Sequence, residues 1–76
     1  MASQVTEAVY ELLRSEDKPF TAAGVCYRLH SAFVPTLVYS EAEMSLEWLY
    51  RSGYVSRKAD GPMGPEYQVR DTRKTL

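Results

Sequence analysis

The chain has 76 residues, and nine lysine or arginine residues nearly balance ten aspartate or glutamate residues, which leaves a net charge of −1. A single domain of this size buries roughly 60% of the surface that its unfolded chain exposes, so we expect a small core and modest stability. The near-zero balance excludes a chain that is basic throughout, but it leaves room for a local basic surface.

The cellular setting follows from features that the sequence lacks. Cys26 is the only cysteine, so it cannot form an internal disulfide, and a reducing compartment is expected. No apolar run approaches the ~18 residues of a membrane span, and the N-terminus does not have the pattern of a secretory signal. We therefore expect a soluble cytoplasmic protein with no membrane partner.

Apolar residues at helical spacing predict a first helix over residues 3–15, with Ser3 as its N-cap. Pro19 breaks the pattern, and Phe20 is expected in a short extended piece. Thr21 is a favourable N-cap for a second helix over residues 22–30. The connection that follows, residues 31–39, has no readable pattern.

A third helix is predicted to begin at Ser40, where Ser40 and Glu43 have the spacing of a capping box. Gly53 is expected to end it, because glycine readily adopts the left-handed conformation that follows a helix. Two strands are predicted next, over residues 54–58 and 66–70, joined by a loop rich in glycine and proline. Residues 71–76 are polar, and we expect them to fray.

The predicted core consists of the apolar positions that share one side of each element. They are Val9, Leu12, Leu13, Val25, Leu29, Leu46, Leu49, Val55 and Val69.

The passage Leu46-x-x-Leu49-x-x-x-Gly53-Tyr54-Val55-x-Arg57 resembles the helix-to-wing passage of small bacterial winged helix-turn-helix regulators, including MarR-type domains. The resemblance covers about residues 6–70. It implies an α+β fold, a single domain of three helices and a two-stranded C-terminal wing hairpin. It also implies DNA binding, with the third helix in the major groove and the wing on the backbone or in the minor groove.

The outward face of the third helix does not suit DNA uniformly. A helical period of ~100° turns Met44, Glu47, Trp48 and Arg51 outward, with Glu43 flanking them. Carboxylates oppose phosphate contacts, whereas exposed methionine and tryptophan are enriched at protein interfaces. Met44, Glu47 and Trp48 are therefore the candidate partner-binding residues, and the open alternative for Trp48 is a position partly in the core.

Basic residues gather in the C-terminal third. The candidate DNA-contacting residues are Arg51, Arg57, Lys58 and Arg70. An alternative interpretation is that the strand residues only protect a sheet edge by their charge.

Catalysis is not expected. Cys26 and His30 lie four residues apart and could face one metal ion, but no further cysteine or histidine completes a soft site. The sequence predicts no metal, no cofactor and no small-molecule substrate.

Two hypotheses remain. One is a small DNA-binding transcriptional regulator that uses its wing strongly, with a homodimer as an open alternative. The other is a protein-interaction module, such as a phage or mobile-element protein, that binds its partner through Met44 and Trp48.

Overall fold

A computed structural model describes residues 4–32, 38–59, 61–62 and 64–76, without the side chains of 30–32. The elements follow the predicted order. They are α1 (Gln4–Glu16), β1 (Phe20–Thr21), α2 (Ala22–Ala32), α3 (Tyr39–Arg51), β2 (Val55–Lys58) and β3 (Glu66–Val69). The proposed Ser3 cap, most of the 31–39 connection and the His30 side chain of the considered metal pair lie outside the described residues and side chains.

The strands form one antiparallel sheet with the order β1-β3-β2. The predicted C-terminal hairpin is present, with Val55 opposite Val69 and Lys58 opposite Glu66. The extended piece at Phe20 becomes a third strand, because Phe20 pairs with Tyr67. Thr21 also caps α2 as predicted, since its hydroxyl accepts a hydrogen bond from the Gly24 amide at 3.1 Å.

The predicted capping box at Ser40 is wrong. The helix α3 begins at Tyr39, and its N-cap is Val38, which has extended backbone and no side-chain cap bond. The Val38 carbonyl already accepts hydrogen bonds from the amides of Glu41 and Ala42. Ser40 therefore lies inside the first turn, where it cannot act as the cap.

The end of α3 agrees with the prediction. Gly53 has a φ of +84°. Its amide donates to the Tyr50 carbonyl at 3.1 Å, and the next amide, of Tyr54, donates to the Leu49 carbonyl at 2.9 Å. These two bonds form a Schellman motif, which turns the chain directly from α3 into the hairpin.

All nine predicted core residues are buried, and the buried set also includes Tyr10, Phe20, Ala22, Ala42 and Tyr67. A buried hydrogen bond from the Thr6 hydroxyl to the Ser45 hydroxyl, at 3.1 Å, joins α1 to α3. Tyr10 is fully buried and donates its phenol hydrogen to the carbonyl of Lys74 at 2.5 Å. Burial raises the pKa of this phenol above its ordinary value.

Candidate nucleic-acid interface

The residues that the helical period predicted to face outward do lie on the outward side of α3. A groove of about 480 Å³ runs along it, and we call it the α3 groove. Its lining residues are Glu43, Met44, Glu47, Trp48 and Arg51. Met44 is 71% exposed and Trp48 is 40% exposed. The candidate partner-binding residues therefore lie together on one surface.

Glu47 is held by the hairpin. Its carboxylate accepts a hydrogen bond from the Tyr67 phenol at 2.5 Å and lies 3.6 Å from Nε of Arg57. Burial of Tyr67, the hydrogen bond to Glu47 and the charge of Glu47 raise the pKa of Tyr67 to about 12, since each favours the neutral phenol. This carboxylate thus joins α3 to the sheet, a role that its outward position in the sequence pattern did not indicate.

The structure separates Arg57 from Lys58. Successive residues of a strand point to opposite sides of the sheet, so Arg57 shares the side of buried Val55 and Lys58 shares the side of Ser56. Arg57 reaches Glu47, and its guanidinium carbon lies 5.7 Å from the centre of the Tyr50 ring. Lys58 is exposed opposite Glu66 on the outer side of the hairpin.

A second group of side chains surrounds Tyr54, the residue that follows the Gly53 turn. The Trp48 indole stacks on the Tyr54 ring with a centroid distance of 6.0 Å and an interplanar angle of 15°. Tyr10 meets the same ring edge-on at 5.4 Å, and Nζ of Lys74 lies 4.6 Å from its centre. The sequence analysis did not predict the contacts of Tyr54 with Trp48 and Lys74. Residues that meet only in the folded chain leave no periodic pattern in the sequence.

Arg70 is joined to this aromatic group by its backbone, and Arg51 shares the α3 groove with Trp48. The Arg70 amide donates to the Tyr54 carbonyl at 3.1 Å, which places the two residues opposite each other at the base of the hairpin. Arg51 follows Trp48 by almost one helical turn and lines the α3 groove with it. We refer to Trp48, Arg51, Tyr54, Arg70 and Lys74 as the basic aromatic surface.

The acidic neighbour of this surface, Asp71, already has a basic partner. It accepts hydrogen bonds from the amide of Arg73 at 3.0 Å and from its guanidinium at 3.3 Å. These bonds lower the pKa of the Asp71 carboxyl below its ordinary value. The charge near Tyr54 is therefore dominated by cations.

The exposed charges of α3 thus differ between its two halves. Glu41 and Glu43 are exposed in its first half, whereas Arg51 is the exposed residue that ends its second half. All four candidate DNA-contacting residues, Arg51, Arg57, Lys58 and Arg70, are exposed. Arg57 differs from the other three because it is paired with Glu47 of α3.

No group of histidine, cysteine, aspartate and glutamate residues that could hold a metal ion occurs within the described ranges. Cys26 is half-buried and packs against the core. In the same part of the chain, no helix is long and apolar enough to cross a membrane.

Comparison with known proteins found a similar solved structure but no matching family. No protein-family model matches the chain, and no curated protein matches it. A similar solved structure comes from work on the DNA recognition and protein interaction domains of HOP2 and its homologous DNA pairing properties. It aligns with a TM-score of 0.76 and 18% identity, over 86% of this chain and 97% of that one.

This chain has a winged-helix fold. The three helices and the small antiparallel sheet correspond to those of the HOP2 domain, and an identity of 18% extends the likeness to the fold alone. The predicted fold class is confirmed, with β1 as an additional strand of the sheet. In winged-helix terms, α3 is the third helix of the fold and the β2–β3 hairpin is the wing.

Proposed function

We propose that this chain is a small DNA-binding protein that regulates transcription in the cytoplasm and has a binding rather than a catalytic role. It contacts duplex DNA mainly through cations at the end of α3 and on the wing. The residues that carry these contacts are Arg51, Lys58 and Arg70. These cations, and not the first half of α3, meet the phosphate backbone.

The charge division of α3 is the observation that carries this proposal. Phosphate contacts supply most of the non-specific affinity for DNA, and carboxylates such as Glu41 and Glu43 oppose them. Arg51 and Arg70 are exposed where those carboxylates are absent. The winged-helix likeness to a protein with a DNA recognition domain supports the same function, as an analogy of fold.

A salt titration tests the proposal. The fluorescence anisotropy of a labelled duplex is measured against protein at several salt concentrations, and the logarithm of affinity should fall linearly with that of salt. Arg51→Gln and Arg70→Gln should each reduce the slope by about one. Lys18→Gln is the matched control, because Lys18 is an exposed cation that is paired with Glu16 and is not one of the proposed DNA contacts. Binding that is absent, or a slope that both variants leave unchanged, would contradict the proposal.

Oligomeric state is measured on the same samples. A homodimer would place two wings on one duplex and would double the number of neutralised phosphates. Light scattering of the complex counts the copies of protein per duplex.

The exposure of Met44 favours a second candidate function, a protein-interaction module. A methionine that is 71% exposed beside two glutamates suits a partner with an apolar anchor and basic neighbours. Glu43→Gln separates the two functions. It should tighten duplex binding if α3 approaches DNA, and it should weaken binding to a basic protein partner.

A further inference from the structure

The indole of Trp48 has an accessible side. Trp48 lines the α3 groove, and Tyr54, on which it stacks, is not among the lining residues. Tyr54 covers one face of the indole, and the groove is formed by Trp48 with other residues of α3. With 40% of the residue exposed, the part of the indole that Tyr54 does not cover can receive a flat ligand.

The indole is also held in place before any ligand binds. Tyr54 supports it from behind, the fully buried Tyr10 supports Tyr54 edge-on, and the Schellman motif fixes the backbone of Tyr54. An aromatic side chain ordered in this way loses little conformational entropy on binding, which leaves more of the stacking energy for affinity.

The charges around the indole suit a phosphate chain. Arg51 lines the same groove, Lys74 lies against Tyr54, and Arg70 lies opposite Tyr54. Of the two groove carboxylates, Glu47 is already held by Tyr67 and Arg57, and Glu43 lies more than one helical turn before Trp48. An anionic ligand that spans from Trp48 toward Arg70 therefore meets cations.

We propose that the basic aromatic surface binds single-stranded DNA, with one unpaired base stacked on the Trp48 indole. Arg51, Arg70 and Lys74 contact the phosphates on either side of that base. Aromatic platforms flanked by cations bind single strands in this manner, with little preference for the base. This inference rests on the proposed DNA-binding function and adds to it a site for unpaired bases.

A protein ligand fits the same position less well. A peptide that binds Trp48 would need acidic or neutral residues next to Arg51, Arg70 and Lys74. The same peptide would need basic residues next to the glutamates beside Met44. A strand of uniform negative charge avoids this conflict when it stays on the Trp48 end of the groove.

Intrinsic fluorescence gives a direct test, because Trp48 is the only tryptophan in the chain. Single-stranded oligothymidylate should quench this fluorescence through base stacking, and a duplex of equal length should quench it less. In anisotropy titrations, Trp48→Ala should weaken single-strand binding by about 5- to 150-fold. Trp48→Phe should restore most of the affinity, and duplex affinity should change by less than about twofold.

Met44→Ala is the matched control, since Met44 lines the same groove one turn earlier and should leave both affinities unchanged. A second measurement leaves the protein intact, in case Trp48→Ala disturbs the stack on Tyr54. A strand of abasic sites should bind the wild-type protein as weakly as oligothymidylate binds the alanine variant.

The outcomes separate this inference from the proposed function. Salt-dependent duplex binding without quenching by oligothymidylate, or equal affinity for the abasic strand, would overturn the stacking site alone. Loss of binding to both duplex and single strand would overturn both proposals. A partner protein could bind through Trp48 without competing with either the duplex or the single strand. That result would assign the indole to protein recognition and overturn the inference.

Discussion

Glu47 lies on the outward side of α3 and contacts two residues of the wing. Its position on the helical period marks it as an outward carboxylate that repels phosphate. In the folded chain it accepts the Tyr67 phenol and pairs with Arg57, so it also fastens the wing to α3. Removing its charge should therefore change stability as well as the proposed DNA binding, and exposed Glu43 is the better position for a test of charge alone.

The Tyr67 phenol should make stability depend on pH at the alkaline end. Its pKa is raised from 10.0 to about 12 in the folded chain, so the folded state holds its proton more tightly than the unfolded state. The resulting stabilisation is fully present below pH 10 and is lost as the pH rises toward about 12. Denaturant unfolding at a series of pH values should show this decline in the free energy of unfolding.

Glu47→Gln tests the cause. The variant should lower the pKa of Tyr67, measured by phenolate absorbance, and flatten the decline in stability above pH 10. Glu7→Gln, an exposed change on α1, is the control and should reproduce the wild-type curve. An unchanged Tyr67 titration in Glu47→Gln would show that burial alone raises the pKa.

The strand β2 contains two adjacent cations, Arg57 and Lys58, that have different surroundings. Because side chains alternate along a strand, Arg57 points toward α3 and Lys58 points away from it. The sequence groups them as one basic pair, whereas the fold gives Arg57 structural contacts with Glu47 and Tyr50.

Two single variants should separate these tasks. Lys58→Gln should reduce the salt slope of duplex binding by about one and leave the unfolding midpoint unchanged. Arg57→Gln should destabilise the fold by up to about 1 kcal/mol, the range of partly exposed ion pairs. Urea unfolding and anisotropy titrations measure the two effects. A slope that changes only in Arg57→Gln would reverse the assignment.

At the scale of the whole molecule, the three helices and the sheet share one small core centred on α3. Leu46 and Leu49 are completely buried, as are Val9 and Leu13 of α1 and Val25 of α2. A domain of this length has few such residues, so the loss of one is a large fraction of its stability.

Leu49→Ala should therefore lower the free energy of unfolding by about 2–5 kcal/mol, through lost burial and the cavity that remains. Chemical unfolding followed by circular dichroism measures the change. Arg51→Ala, two residues later on the exposed side of α3, should stay within about 0.5 kcal/mol of wild type. A loss below 1 kcal/mol in Leu49→Ala would mean that the core closes around the missing side chain.

Much of the winged-helix architecture can be predicted from the sequence, because it depends on local rules. Apolar periodicity placed the nine core residues, Thr21 capped α2, and Gly53 ended α3 where a left-handed residue is needed. The start of α3 escaped prediction because Val38, which has no capping side chain, occupies the N-cap through its backbone alone.

The candidate site depends on contacts that only the tertiary structure makes. Periodicity grouped Met44, Glu47 and Trp48 on one face, since they share one helix. The Tyr67–Glu47 bond joins residues 20 positions apart, and the Tyr10–Lys74 bond joins residues 64 apart. Such pairs follow from how α1, α3 and the hairpin pack, so no local pattern encodes them. Packing therefore decided which charged side chains around Trp48 are paired with other residues and which face solvent.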